Sequence, residues 1–192
     1  MTQHYWHIVA TDRDGVPRLG YGDNREVKVG ETLTISGTPT VCVRGLHACH
    51  RLIDCLDYAS GTVICKVTLG GEIATDSDHK VAATKRTVIA MTTAEEGERI
   101  TREFARWCAL RVAHLWDMPA VVREYLETGN EELRAAAGAA AWDAARDAAG
   151  AAARAAAWAA AGDAAWAAAR AAYNDKFTAM VEAVFAAKEV QA

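Results

Sequence analysis

Apolar residues in the first half of the chain recur in short runs rich in valine, isoleucine and threonine, a pattern typical of β-strands. The runs cover residues 5–10, 31–36, 62–69 and 87–91, and the third is the clearest because it ends at two consecutive glycines. Residues 50–59 carry apolar positions that predict a short helix, with Asp54 and Asp57 facing outward. An order of strands, helix and strands predicts a small α+β layer.

The pattern changes to helical spacing near Thr92. The segment Thr92-Thr93-Ala-Glu-Glu predicts the start of a helix, because a hydroxyl residue can cap it and acids follow in its first turn. Further helices are predicted over residues 119–127 and 174–190, the last of them amphipathic. We therefore predict a β-rich α+β domain over residues 1–92, followed by an all-helical domain over residues 93–192.

Residues 134–173 repeat every four positions. Ten units follow one another, each beginning with Arg, Gly or Trp, and 26 of these 40 residues are alanine. Alanine is the strongest helix former, so the repeat is predicted to be helical. A straight helix of this length spans about 60 Å. It would therefore either project and pair with a second copy as a homodimer, or break at a glycine and fold back on itself.

The large residues of the repeat have two interpretations. A four-residue step drifts by about 40° around a helix, so these residues wind around it and do not form one seam. One interpretation is a packing rod without chemistry. The other is a partner-binding face, because Trp and Arg dominate interface hot spots. The residues that would form this face are Trp142, Trp158, Trp166, Arg146, Arg154 and Arg170.

Composition and charge exclude several classes of protein. The chain has 192 residues and a net charge of −4, which argues against strong nucleic-acid binding through phosphate contacts. The chain has five cysteines, an odd number that cannot all pair in disulfides within one chain. The N-terminus lacks the basic start and apolar run of a signal peptide. These features favour reduced thiols in a cytoplasm. No window has about 18 strongly hydrophobic residues, so no membrane span is predicted.

The densest group of reactive side chains lies between Cys42 and Cys55. His47, Cys49 and His50 are weak candidates for metal ligands, but their spacing matches no familiar zinc template and favours a structural turn. Cys49 with either histidine could also form a thiol nucleophile and base, although such close neighbours seldom align for proton transfer. No P-loop or nucleophile-elbow motif is present. The sequence therefore favours a protein with no catalytic residues and no cofactor.

An ADP-ribosyltransferase-like enzyme is the alternative from a different class. Small β-rich folds of that kind begin with a strand that carries histidine or aromatic residues. His4-Tyr5-Trp6-His7, followed by Gly45-Leu46-His47, is compatible with this pattern. The enzyme would also need a catalytic glutamate late in the β-rich half, where Glu72 is the candidate. This alternative depends on fold analogy alone.

Four spaced segments carry a resemblance to a known family. They are Gly45-Leu-His-Ala-Cys49, Leu52–Tyr58, the run Val63–Val67 that leads to Gly71-Glu-Ile73, and Asp78-His-Lys-Val-Ala-Ala-Thr84, in that order. Together they resemble phage and prophage proteins that carry a Gly-Phe-His-Ala-Cys motif, with Leu46 here in place of Phe. Members of that family often have alanine-rich tails. The helical half also looks like helical regions of immunity-like bacterial proteins.

The resemblance implies a bacteriophage or mobile-element origin, and it supplies no activity or site residues. Phage accessory proteins without a catalytic motif often bind and block host machinery, as anti-CRISPR inhibitors do. The first hypothesis is therefore a non-enzymatic inhibitor of host defence in the cytoplasm of a bacterial host cell. Its partner would be a host protein such as a CRISPR effector subunit. The alternatives are the ADP-ribosyltransferase-like enzyme and an immunity or structural helical module.

Overall fold

The computed structural model describes residues 3–75, 79–142, 144 and 163–191, with only the backbone described for 163–168 and 191. The strands are β1 Tyr5–Thr11, β2 Pro17–Arg18, β3 Thr32–Thr34, β4 Leu46–Cys49, β5 Val63–Thr75 and β6 Lys80–Met91. The helices are α1 Ala94–Arg111, α2 Ala120–Thr128, α3 over residues 134–142 and α4 Asp163–Gln191. Short 3-10 helices cover Leu52–Tyr58, Ala113–Leu115 and Glu131–Leu133. The α+β class is confirmed.

The strands close into a barrel-like sheet. Strands β5 and β6 form a long antiparallel hairpin, and β1 pairs with β5 from Tyr5↔Val67 to Val9↔Val63. Strand β4 pairs with β6 and meets β1 at Trp6↔Cys49, so β1, β5, β6 and β4 form a continuous circuit. Strand β3 pairs with β6 beyond β4, and β2 pairs with the end of β1. We call this sheet and its loops, residues 3–91, the sheet domain.

Alternation along the strands fills the interior of the sheet domain. On β1, Tyr5 and Val9 belong to one buried cluster with the β5 residues Val63, Cys65 and Val67. Residues of the same parity lie on one face of a strand, which is why a β-branched run with period two builds this core. Burial of such side chains is the main stabilising contribution to a small sheet.

The sequence patterns predict most of this sheet. Each of the four predicted runs contains a strand; β5 continues past its predicted end, and β6 begins before its predicted start. The sequence analysis does not predict β2 or β4. The turn predicted around His47 and Cys49 is wrong, because residues 46–49 form β4 against β6. The short helix predicted over 50–59 is present as the 3-10 helix Leu52–Tyr58.

The chain divides into two compact units, residues 1–100 with 174–192 and residues 101–173. In the second unit, Trp107 stacks on Phe104 with 6.0 Å between ring centroids, and Tyr173 meets it edge-on at 5.4 Å. The boundary between residues 92 and 93 stays a prediction. Among the helices of the described ranges, none is both long and apolar enough to cross a membrane.

The alanine-rich repeat is described only at its two ends. Helix α3 covers the first units, and α4 begins at Asp163. Residues 143 and 145–162 lie outside the described part of the chain. The choice between a projecting helix and a hairpin, and the homodimer that a projecting helix would favour, therefore stay predictions.

Candidate functional site

Two cavities in the sheet domain share part of their walls. The larger, of about 580 Å³, is lined by segments around Tyr21, Ile35 and Arg44. The smaller, of about 130 Å³, is lined by residues that include Cys49 and Lys80. Tyr21 and His47 line both cavities. Because concave sites with a few convergent polar groups are where small ligands bind, these cavities define the candidate site.

Gly45 determines how closely β4 approaches β6. Its φ is +146°, and a Cβ added there would lie 2.7 Å from the Cβ of Ala82 on β6. The absent side chain allows Leu46 and His47 to pair with Ala83 and Ala82. The Gly-Leu-His segment noted in the sequence thus brings His47 into the sheet beside the two cavities.

The Tyr21 ring lies between two histidines from different strands. The His47 ring centroid is 5.7 Å from that of Tyr21, and the His7 centroid is 6.4 Å from it, both edge-on. The Tyr21 hydroxyl oxygen accepts hydrogen bonds from the His47 backbone N–H and from Arg86 Nη1, each at 3.3 Å. Because that oxygen accepts twice, the hydroxyl proton of Tyr21 is left to donate to a third group.

Arg86 is a buried cation behind these residues. Its side chain is 1% exposed, and Nη1 donates to the His47 carbonyl oxygen at 2.5 Å. Its Nε and Nη2 atoms are buried and have no hydrogen-bond partner among the residues that the structure describes. A guanidinium does not lose its proton in proteins, and an isolated buried charge is costly. The wall shared by the cavities is therefore backed by a positive charge that lacks a counter-ion there.

His7 is held neutral in this environment. Burial, followed by the charges of Arg86 and of His47 and Lys80, keeps its pKa well below the usual range. Its Nε2 is a third buried atom with no hydrogen-bond partner in the described part of the chain. Burial also lowers the pKa of His47, helped by Lys80 and Arg86. His47 Nε2 accepts from the Cys42 backbone N–H at 3.1 Å, so its neutral ring carries the proton on Nδ1.

Two thiols line the smaller cavity. The Cys55 side chain lowers the pKa of Cys49 against the opposing effects of burial and Asp54. The Cys55 Sγ itself donates to the Arg51 carbonyl oxygen at 4.0 Å. Burial raises the pKa of the Cys55 thiol, and Cys49 raises it further. Lys80 contributes a nearby cation, with its Nζ 3.8 Å from the Tyr58 ring centroid.

Asp54 does not face outward as predicted. Its carboxylate is 1% exposed and bonds with Arg51 Nε at 2.8 Å and His79 Nδ1 at 3.2 Å. The reason is the ion pair within one turn of the 3-10 helix, which compensates the loss of water around the carboxylate. This acid therefore fixes the helix that carries Cys55.

The weak metal candidates do not form a common site. His47 accepts from the Cys42 backbone N–H, Cys49 lines the smaller cavity, and the His50 ring lies 5.2 Å from the ring of Tyr5. Over the described ranges, no group of three His, Cys, Asp or Glu residues is arranged to hold a metal ion.

The candidate partner-binding residues fall mostly outside the described part of the chain. Trp142 on α3 is 72% exposed. Arg170 lies half-buried on α4, and Trp166 lies on α4 with its side chain outside the description. Trp158, Arg146 and Arg154 are likewise outside it. A shared binding face for these six residues stays a prediction.

The residues named for an ADP-ribosyltransferase-like site separate into two groups. His7 and His47 come together around Tyr21. Glu72 is exposed, and its backbone N–H donates to Thr84 Oγ1 at 3.0 Å. His4 is also exposed.

Sequence reasoning missed Tyr21 and Arg86, the two residues that connect the histidines. One signal for Arg86 was available: it directly precedes the predicted strand over residues 87–91 and stands two positions before Val88. It therefore shares a face with an apolar residue when that strand begins earlier.

Comparison with known proteins gives a family without an assigned activity. No curated protein matches the chain, and no solved structure matches it. One segment of the chain, residues 23–100, does match a family model. It contains β3 to β6 and the first turns of α1, with His47, Cys49, Cys55 and Arg86, but neither His7 nor Tyr21. Residues 23–100 match the model of a domain of unknown function, DUF7666, and are similar to that family.

Proposed function

We propose that the sheet domain binds an anionic small molecule in the larger cavity. The observation that carries this proposal is Arg86, a fully buried guanidinium with no carboxylate partner among the described residues. Tyr21 and His47 line the cavity and accept hydrogen bonds from Arg86. A ligand anion on the cavity side would lie one side chain away from this charge and would offset it.

The charges around the two cavities favour the same class of ligand. Arg25 and Arg44 line the larger cavity, and Lys80 lines the smaller. Asp23 is the one acid among the described lining residues, and its carboxylate already pairs with Arg25 at 2.8 Å. Cavity walls with an excess of one charge concentrate ligands of the opposite charge. Phosphate and carboxylate groups would also accept the Tyr21 hydroxyl proton.

The test is titration of the full chain with pyrophosphate, ADP-ribose and NAD⁺, followed by calorimetry and thermal unfolding. Adenosine is the uncharged control. A bound anion at about 100 times its Kd should stabilise the fold by about 2.7 kcal/mol. Arg44→Gln should weaken binding, whereas Lys28→Gln, an exposed lysine paired with Glu26, should not. Unchanged calorimetric and thermal signals with every anion at millimolar concentration would remove the proposal.

The ADP-ribosyltransferase-like alternative is the form of this proposal in which the bound anion is NAD⁺. It is favoured because His7 and His47 lie close together in the fold. It predicts that NAD⁺ binds and that nicotinamide is released on incubation. Chromatography of the nicotinamide distinguishes binding from turnover. Binding of NAD⁺ without release would support the binding domain and count against the enzyme.

A second candidate function is partner binding by the helical half, in a phage-encoded inhibitor of host defence. Its support is Trp142, a large apolar side chain that is 72% exposed on α3, since exposed tryptophans are enriched among interface hot spots. In a pull-down against purified CRISPR effector complexes, Trp142→Ala should lose binding by about 10-fold or more. Leu115→Ala, at a residue 71% exposed, is the matched control. Equal recovery with both variants would argue against this face.

A further inference from the structure

We propose that Cys49 and Cys55 form a reversible disulfide when a hydroperoxide enters the smaller cavity. Both thiols line that cavity, which holds only about 130 Å³, and each side chain shifts the pKa of the other. Cys49 ends β4, and Cys55 follows on the 3-10 helix Leu52–Tyr58. Two thiols that face one small cavity can form a disulfide when their Cα atoms come within about 7 Å of each other. This inference does not depend on the proposed ligand.

The surroundings of the other three cysteines set this pair apart. Cys65 is buried inside the sheet, where burial raises its pKa to about 12, and it lines neither cavity. Cys42 lies at the larger cavity with its Sγ 3.5 Å from Lys80 Nζ. Cys108 lies on α1 within residues 101–173, in the other compact unit. A disulfide within one folded chain is therefore expected at Cys49 and Cys55.

The two thiols have different roles in the reaction. The Cys55 side chain lowers the pKa of Cys49, and the positive charge of Lys80 adds to this effect. Thiolate is the reactive form of cysteine, so Cys49 is the attacking group and Cys55 the resolving one. Tyr58 and Lys80 complete the wall beside them.

The chemistry balances as a two-electron oxidation. The Cys49 thiolate attacks the peroxide oxygen, the O–O bond breaks, and the leaving oxygen takes a proton to give water or an alcohol. Cys49 is then a sulfenic acid. The Cys55 sulfur attacks the Cys49 sulfur, the S–O bond breaks, and the departing hydroxide takes the Cys55 proton to leave as water. The two thiols are oxidised and the hydroperoxide is reduced.

The test treats the folded full chain with hydrogen peroxide and measures its intact mass. We expect a loss of two hydrogens, with peptide mapping that links Cys49 to Cys55, and full reversal by dithiothreitol. After unfolding, three of the five cysteines should alkylate in the oxidised chain. A disulfide-linked dimer through Cys42, a sulfinic acid at Cys49 or an unchanged mass would each overturn the proposal.

Variants identify the attacking thiol. In Cys55→Ser, the Cys49 sulfenic acid should persist and react with dimedone, whereas Cys49→Ser should give no such adduct at Cys55. Cys42→Ser and Cys108→Ser are matched controls that should keep the disulfide. If the Cys55 variant does not fold, peptide mapping of the unaltered chain still decides the outcome. A dimedone adduct on Cys55 in Cys49→Ser would reverse the assigned roles.

Discussion

In the described part of the chain, three of the four buried side-chain polar atoms without a hydrogen-bond partner belong to residues around Tyr21, and the fourth is Thr178 Oγ1 on α4. His7 Nε2 and Arg86 Nε and Nη2 lie in the interior of a sheet otherwise filled by valine, leucine and alanine. Each such atom loses its hydration without a replacement, which costs about 1–3 kcal/mol. A sheet interior selected for stability alone would carry apolar residues at these positions. Their presence favours a ligand in the neighbouring cavity whose negative charge offsets the charge of Arg86.

His7 makes the stability of the sheet domain dependent on pH. Because its pKa is lowered in the folded state, only the unfolded chain binds a proton as the pH falls below about 6.5. The free energy of unfolding should therefore decrease from that pH downward, by up to about 1.4 kcal/mol per pH unit. Urea unfolding at several pH values measures this slope.

The matched variants for this slope are His7→Phe and His4→Gln. His7→Phe removes the buried imidazole, so the free energy of unfolding should depend much less on pH. The dependence that remains should come from His47, whose pKa is also lowered. The second changes an exposed histidine and should leave the profile unaltered. A slope that persists unchanged in His7→Phe would show that another group controls the acid response.

Arg86→Met tests whether the buried charge serves binding or stability. Methionine fills a similar volume and removes a cation that has no counter-ion in the described part of the chain. In anion-free buffer the variant should unfold at a urea concentration no lower than the unaltered chain, and pyrophosphate should no longer stabilise it. A loss of several kcal/mol without ligand would instead identify Arg86 as structural, through its bonds to Tyr21 and His47.

At the scale of elements, the start of α1 is fixed by a reciprocal cap. Thr93 Oγ1 accepts from the Glu96 backbone N–H at 3.1 Å, and the Glu96 carboxylate accepts from the Thr93 N–H at 2.7 Å. The same carboxylate pairs with Lys188 Nζ at 2.6 Å. This confirms the helix start predicted from the sequence, and it joins α1 to the end of α4.

Glu96→Gln should destabilise the chain by roughly 1 kcal/mol, because the cap and the ion pair both weaken. Burial acts to raise the pKa of Glu96, but its hydrogen bonds with Lys188 and Thr93 outweigh burial and lower it. The contribution is therefore present at neutral pH and is lost as the pH falls below the ordinary glutamate range. Glu95→Gln, in the same turn and exposed, is the control for urea unfolding at pH 7 and pH 3. Equal losses in both variants would contradict the role of the cap.

Patterns of residues close in sequence predict the strands and helices of this protein, whereas the candidate site is formed by the pairing of distant strands. The strand runs and the Thr93 cap are predictable because each depends on residues close in sequence. The contact of Tyr21 with His47 and Arg86 depends on the pairing of β4 with β6, which joins residues tens of positions apart. The same pairing turns a segment interpreted as a turn into a strand. Asp54 also contacts His79, a residue 25 positions away that no local pattern indicates.

At the scale of the whole molecule, the two ends of the sequence share one compact unit. Residues 174–192 group with residues 1–100. Asn174 Oδ1 accepts from the Ile53 backbone N–H at 3.3 Å, and Lys66 on β5 pairs with Glu182 at 2.6 Å. Lys188 donates to the Met91 carbonyl oxygen at 3.2 Å. The end of α4 therefore lies along the hairpin of β5 and β6 and is expected to stabilise it.

Phe177 is the clearest test of this arrangement. Phe177, Val181 and Phe185 are buried at four-residue spacing, which places them on one face of α4. Phe177→Ala should lower the free energy of unfolding by about 3–5 kcal/mol through lost burial and the cavity left behind. Val190→Ala, at a residue 87% exposed on the same helix, should cost almost nothing. Hydrogen exchange should then report faster exchange at amides of β5 and β6 in Phe177→Ala, because the helix supports that hairpin. Faster exchange confined to α4 would mean that the sheet folds without its C-terminal helix.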